Sequence, residues 1–267
     1  MQKNIKKITS AKLFDLFILI VLLIVGAATS LVFRLDLFYS VIIYLFLPSV
    51  YLIFREKKDL KKIIIASLII GVFFGMSWNF IAEYYLAWQT NYSLDFLNYI
   101  IIGNTPLADV IWGFLIPFSV IIFYEHFLDI EHIHVLKRKS YLAVIWSIVF
   151  LFIACFWIWF GPHQPKIGSY VYAIMGALAC LPLVGLIFER KVLILKTFLC
   201  GLYFALVNTV FEVTALILGQ WSFPGSYLID FEFVKGNPIP LEEIIFWILP
   251  SAMVFVILFE YLFDDFK

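Results

Sequence analysis

The chain has 267 residues, 64% of them hydrophobic, 19% aromatic and only 14% charged, with a formal net charge of zero. Such a balance excludes a water-soluble domain, whose interior could not hide that much apolar surface, and a neutral chain lacks the basic footprint of a nucleic-acid binder. Apolar runs of 18 or more residues recur without the alternation of barrel strands, which predicts an all-α, polytopic integral membrane protein.

In chain order the spans are expected at 13–34, 37–54, 62–87, 106–125, 141–161, 168–188, 194–218 and 240–263. The first is too long for a signal peptide and lacks its small-residue cleavage site, so it reads as a span. Loop charges are lopsided. Lys3, Lys6, Lys7 and Lys12 precede the first span, and Arg55, Lys57, Lys58, Lys61 and Lys62 follow the second. Lys137, Arg138 and Lys139 follow the fourth, Arg190, Lys191 and Lys196 the sixth, and Lys267 closes the chain. Only Arg34, Lys166 and Lys235 remain for the other side. Basic residues are retained in the cytoplasm, so both termini are expected there, in a multi-pass protein of the cell (inner or plasma) membrane with lipid around it.

Internal similarity divides the chain in two. Leu47-Pro48 through Phe54 matches Leu181-Pro182 through Phe188, at an offset of 134 residues. Asn79 to Glu83 matches Asn208 to Glu212 at 129, and Pro106-Leu107-Ala108-Asp109 matches Pro240-Leu241-Glu242-Glu243 at 134 again. Three matches in one order predict a tandem repeat of a four-helix unit, 1–138 and 139–267. Four spans per unit give both copies one orientation, with an axis along the membrane normal and a shared cavity between them.

The intramembrane polar set is Asn79, Glu83, Asp109, Asn208, Glu212, Glu242 and Glu243, all toward the ends away from the basic loops. Asn208 and Glu212 are four residues apart, as are Asn79 and Glu83, so each pair shares a helix face and is placed to hydrogen-bond. Glu242 and Glu243 point about 100° apart and cannot share one. Proline followed by two acids is also ordinary helix-start chemistry; Glu83 and Glu212, a turn inside apolar runs, have no such excuse. Trp88, Trp112, Trp221, Phe223, Phe246 and Trp247 stand beside these acids. Trp and Tyr form interfacial belts routinely, but aromatic faces also stabilise a cation. Acids and aromatics in an apolar cavity suit carbocation chemistry, in which one carboxylic acid protonates an alkene and another carboxylate removes a proton.

Other candidates carry less. Glu125, His126, Asp129, Glu131, His132 and His134 have the composition of a metal site but no helical ligand spacing, and read as a solvated loop. Cys155, Cys180 and Cys200 lie in apolar runs without a CxxC pair and read as small hydrophobes. No nucleotide motif and no Asp-rich diphosphate motif occurs, and neither a metal nor a cofactor is expected.

Glu212, then Gly219-Gln220-Trp221-Ser222-Phe223, then Pro240-Leu241-Glu242-Glu243-Ile244-Ile245-Phe246-Trp247 resembles the lycopene cyclase domain, the cofactor-independent membrane type of bacteria and fungi, here in tandem. The resemblance implies a carotenoid-biosynthesis isomerase that closes the linear end group of lycopene to an ionone ring, started by a proton and without net redox change. It implies Glu242 and Glu243 as catalytic carboxylates, with Glu212 as a supporting acid or proton relay. Trp221, Phe223, Phe246 and Trp247 would line the end-group site, joined by Asn208, Asn79, Glu83 and Asp109. The first half departs from the pattern: Ala108-Asp109 replaces Glu-Glu and Trp112-Gly113 the aromatic pair. The substrate implied is a carotenoid or other isoprenoid within the bilayer. Further carotenoid enzymes or a second copy of the chain are the conceivable protein partners. Two other readings stay open, a carotenoid-binding partner subunit without catalysis and a small-molecule transporter built on parallel repeats.

Overall fold

The computed structural model describes residues 10–55, 59–91, 101–102, 105–129, 138–160, 170–234 and 236–264. The chain is all-α and membrane-like. We label its helical stretches α1 (Ser10–Phe33), α2 (Leu37–Arg55), α3 (60–84), α4 (Leu107–Phe127), α5 (Arg138–Phe160), α6 (Val171–Phe188), α7 (Lys191–Leu218) and α8 (Glu243–Leu262). Six of them, α1, α2, α4, α6, α7 and α8, are long and apolar enough to cross a membrane. The stretches expected at 62–87 and 141–161 fall on α3 and α5.

Local sequence sets the breaks. Asp36 accepts the Tyr39 backbone N–H at 3.1 Å and so caps α2, directly after Arg34 turns the chain with φ at 48°. Gly219 ends α7 in the left-handed region, φ 67°, where a side chain would be strained. Three stretches are wound as π-helix: Ile42–Phe46 in α2, Leu68–Gly75 in α3 and Glu243–Ile248 in α8. Pro117 inside α4 has no N–H for the Gly113 carbonyl. That carbonyl lies against Gly71 of α3, where any Cβ would collide with it, so the two helices meet backbone to backbone.

The main core is shared by α1, α2, α4, α7 and α8, with Leu19, Leu45, Ile121, Val256 and Phe259 fully enclosed. A second, more aromatic cluster around Trp78, Tyr172, Leu216 and Phe223 sits at the end away from the basic residues. Phe17, Ile24 and Val32 of α1, Trp146, Phe152 and Ile153 of α5 and Ile187 of α6 face outward instead. Outward apolar faces of this kind are what lipid covers.

Three two-stranded ribbons close the aromatic end: β1 (Gln89–Thr90) with β4 (Trp221–Ser222), β2 (Ile101–Ile102) with β3 (Thr105–Pro106), and β5 (Asp230–Val234) with β6 (Asn237–Pro240). All are antiparallel. Pro106 and Pro240 finish strands β3 and β6, opposite Ile101 and Asp230, rather than opening the first turn of the following helix.

The basic end departs from the expected solvated loop. Helix α4 continues to Phe127, and Glu125, His126 and Asp129 are buried; Glu131, His132 and His134 lie outside the described residues, as do Lys3, Lys6, Lys7, Lys57, Lys58, Lys137, Lys166, Lys235 and Lys267. The reason is that His126 and Asp129 have partners on other helices. Asp15, in the first turns of α1 and 1% exposed, accepts the Tyr51 hydroxyl at 2.6 Å and Arg55 Nε at 2.9 Å, and meets His126 Nε2 at 2.9 Å. Lys196 of α7 pairs with Asp129 at 2.9 Å, and the Tyr124 hydroxyl donates to Glu260.

Candidate functional site

A cavity of about 1370 Å³, counting its mouth, opens at the aromatic end between α3, α4, α6, α7 and α8. Its wall is overwhelmingly apolar, and the polar groups that break it are Asn79, Thr90, Asp109, Cys180, Asn208, Glu212, Glu243 and Ser251. A large apolar pocket with a few convergent polar groups is the form ligand sites take.

The π-wound opening of α8 shapes one side. Widening a turn by one residue re-aims the side chains that follow, and such turns collect at functional sites. Here it brings Glu243, Phe246 and Trp247 onto the cavity wall. Asn208 of α7 donates to the Ile248 carbonyl at 3.1 Å, and Ser251 donates to the Trp247 carbonyl. These two side chains satisfy acceptors that an α-helix would have used itself. Asn208 therefore braces α8 instead of bonding to Glu212, as its spacing had suggested.

Glu243 receives the Tyr172 hydroxyl of α6, and Glu212 of α7 receives Trp221 Nε1 at 2.7 Å. Both acids are buried, and both line the one cavity. Around them the rings form a continuous wall. Tyr172 stacks on Trp247 with centroids 6.0 Å apart, Trp88 meets Trp247 at 6.3 Å and Trp112 at 6.1 Å, and Phe223 meets Tyr172 at 5.9 Å. Ring faces present negative quadrupole to whatever occupies the space between them.

A second polar group, drawn from the first half of the chain, faces the same cavity. Trp88 Nε1 donates to Asn79 Oδ1 at 2.9 Å, Asn79 Nδ2 donates to Asp109 Oδ2 at 3.1 Å, and the Thr90 hydroxyl reaches Asp109 at 3.3 Å. Glu83, half-buried and absent from the cavity wall, shares a hydrogen bond with Asp109. Each indole thus reaches back nine residues, Trp88 to Asn79 and Trp221 to Glu212. Gln89 and Ser222, each one residue past its indole, pair with one another across the β1–β4 ribbon.

Glu242 stands apart. It is 1% exposed but contributes nothing to the cavity wall. Its Oε1 accepts the Leu228 N–H at 2.7 Å, and Leu241 N bonds the Ile229 carbonyl at 2.8 Å. The residue straps the chain around Leu228 to the start of α8. The Tyr227 hydroxyl completes that strap, donating to the Ala87 carbonyl at 2.6 Å and accepting the Gly225 N–H at 2.9 Å. Burial pushes the Tyr227 hydroxyl well above the usual phenol range, so it stays an O–H donor.

Of the expected residues, Glu212, Glu243, Asn79, Asp109, Asn208, Trp221, Phe223, Phe246 and Trp247 converge on one cavity, and Glu242 and Glu83 stay behind it. Tyr172 and Tyr227 escaped the sequence reading. The signal for Tyr172 was present, a tyrosine at the head of an apolar run with Trp88, Phe223 and Trp247 all predicted nearby. Comparison of the chain with protein-family models, curated proteins and solved structures finds no match.

Proposed function

We propose that this protein is a membrane-integral isomerase that cyclises an acyclic carotenoid or related polyene end group through a carbocation, as its resemblance to the lycopene cyclase domain implies. The observation that carries the reading is the pairing of Glu212 with Glu243 inside one aromatic-walled cavity. Glu212, within α7 and bonded by a single indole N–H, is the proton donor. Glu243 begins α8 and receives the Tyr172 O–H, an arrangement that suits a proton acceptor.

The chemistry balances within the substrate. A proton from Glu212 adds to the terminal double bond and leaves a tertiary cation. The electron pair of the next alkene closes the ring by forming one carbon–carbon bond. Loss of a ring proton to Glu243 regenerates an alkene. Exchange of the proton from Glu243 back to Glu212, directly or through solvent at the mouth, restores the starting state. The ring faces of Trp88, Tyr172, Phe223 and Trp247 lower the energy of the intermediate cation, and the apolar wall keeps water from capturing it.

The architecture that serves this reading is an eight-span tandem of two four-helix units, 1–138 and 139–267, with both termini cytoplasmic. It is supported by the matched hydrogen bonds of Trp88 and Trp221, by the self-paired Gln89 and Ser222, and by the segregation of the basic residues. Asn79 and Asp109 then occupy the places of Glu212 and Glu243. An amide cannot supply the proton, so the reaction belongs to the second-half pair.

The test is expression of the chain in bacteria that accumulate lycopene, with the pigments analysed. Cyclised carotenoid is expected. Unchanged lycopene, with the protein confirmed in the membrane and no other acyclic polyene converted, would overturn the proposal.

A further inference from the structure

We infer that the basic end of the bundle holds a hard divalent cation on Glu125, Asp129 and Asp264. These residues join α4 to the last turn of the described chain. One carboxylate oxygen from each lies within 4.8 Å of the other two. A Ca²⁺-sized ion holds its oxygen ligands at roughly 2.4 Å, so small side-chain adjustments bring the three to a common ion.

A second observation points to a ligand. Glu125 is 7% exposed, and its Oε1 has no solvent contact and no hydrogen-bond donor. A buried carboxylate oxygen left without a donor carries an uncompensated desolvation cost, and a cation in the cluster removes it. Among the described residues Glu125 faces the like charges of Asp129, Asp264 and Glu260, and Lys62 opposes them. Lys62 Nζ lies 2.6 Å from Asp264 Oδ1, and Lys196 Nζ lies 2.9 Å from Asp129 Oδ1.

The donor set names the class of ion. Oxygen ligands alone select Ca²⁺, Mg²⁺ or Mn²⁺ over the softer metals that prefer sulfur and imidazole. An ion here would tie α4 to the end of α8 and, through the lysines, to α3 and α7. None of the three ligands lines the aromatic cavity, so this inference stands or falls apart from the proposed cyclisation.

The experiment uses the purified full-length chain in a phosphate-free detergent, with Mn²⁺ alone as the probe and electron paramagnetic resonance to count the free ion. One Mn²⁺ per chain should be lost from the free signal, Ca²⁺ should displace it, and Glu125→Gln or Asp264→Asn should weaken binding at least tenfold. Ca²⁺ at a hundredfold excess over its Kd should also raise the unfolding temperature of the wild-type chain by about 5 °C and leave that of Glu125→Gln unmoved. A free-ion signal matching that of empty micelles would overturn the inference in the wild-type protein alone, whatever the variants do. Binding of equal strength in Glu125→Gln and Asp264→Asn would overturn it as well.

Discussion

Glu242 Oε1 holds the backbone N–H of Leu228 at 2.7 Å, fourteen residues back along the chain. Its neighbour Glu243 lines the cavity instead and takes the Tyr172 hydroxyl. Two adjacent acids thus have separate work, one fastening a loop and the other facing the substrate space.

Their substitutions should therefore part company. Glu243→Gln should lower pigment conversion by about 10²–10⁴-fold, the usual worth of a general acid or base, with little effect on unfolding temperature. Glu242→Ala removes the acceptor of a buried backbone N–H and should cost about 1–3 kcal/mol of stability, while measurable conversion remains. Thermal unfolding and pigment analysis on the same preparations check both. Equal losses of activity with unchanged stability would reverse the assignment.

Tyr172 is the donor that positions Glu243, and it also stacks on Trp247 with a centroid separation of 6.0 Å. Tyr172→Phe keeps the ring and deletes the hydrogen bond, so conversion should fall about tenfold to a hundredfold, as expected for a bond to an ionisable partner. Tyr172→Leu removes the ring face as well and should fall further. The difference between the two variants measures the contribution of the aromatic wall.

At the other end of the bundle, Asp15 should govern stability and leave chemistry alone. It is 1% exposed and bonded to Tyr51, Arg55 and His126 from two other helices. Asp15→Ala removes the acceptor of Tyr51 and Arg55, and because Arg55 is half-exposed and can turn to water, the loss should cost about 1–3 kcal/mol. A shift in unfolding temperature with the product pattern unchanged is the expected result.

Much of this was readable in the order of the residues, for a physical reason. Lipid forces backbone bonds to close within each segment, so apolar runs marked the helices to within a few residues. Asp109, Glu212 and Glu243 reached one cavity wall, whereas Glu83 and Glu242, equally expected there, did not. Partner choice was not readable. Asn208 and Glu212 share a helix face, yet Asn208 spends its amide on Ile248, because the π-wound turn frees a carbonyl there. His126 and Asp129 resembled a charged loop because their partners Asp15 and Lys196 come from far along the chain. Pairing across helices leaves no periodicity to detect.

The strap held by Tyr227 and Glu242 provides a prediction in pH. Burial, with the charges of Asp230, Glu242 and Glu243 behind it, raises the Tyr227 hydroxyl above the ordinary phenol value. A raised folded-state value means the protonated form stabilises the fold. That contribution is complete below the unfolded phenol value of about 10 and is lost as the pH rises past it. Tyr227→Phe should cost about 1 kcal/mol at neutral pH and should flatten the alkaline fall in unfolding temperature. A fall of the same steepness in the variant would place its origin elsewhere.

Gly176 tests whether the cavity, as shaped, is the substrate's space. A Cβ built on it would lie 2.6 Å from Cβ, Cγ and Cδ2 of Phe246, closer than any real contact between carbons. Cβ of Phe246 is fixed to the α8 backbone, so turning the ring cannot clear the contact and α6 must part from α8. Both helices line the cavity, so Gly176→Ala should lower conversion together with the unfolding temperature. Phe246→Leu keeps Cβ and Cγ in place, so adding it should recover little of either loss. Full recovery in the double variant would show that ring volume, and not helix spacing, carries the effect, since contacting positions are the ones whose substitutions fail to add.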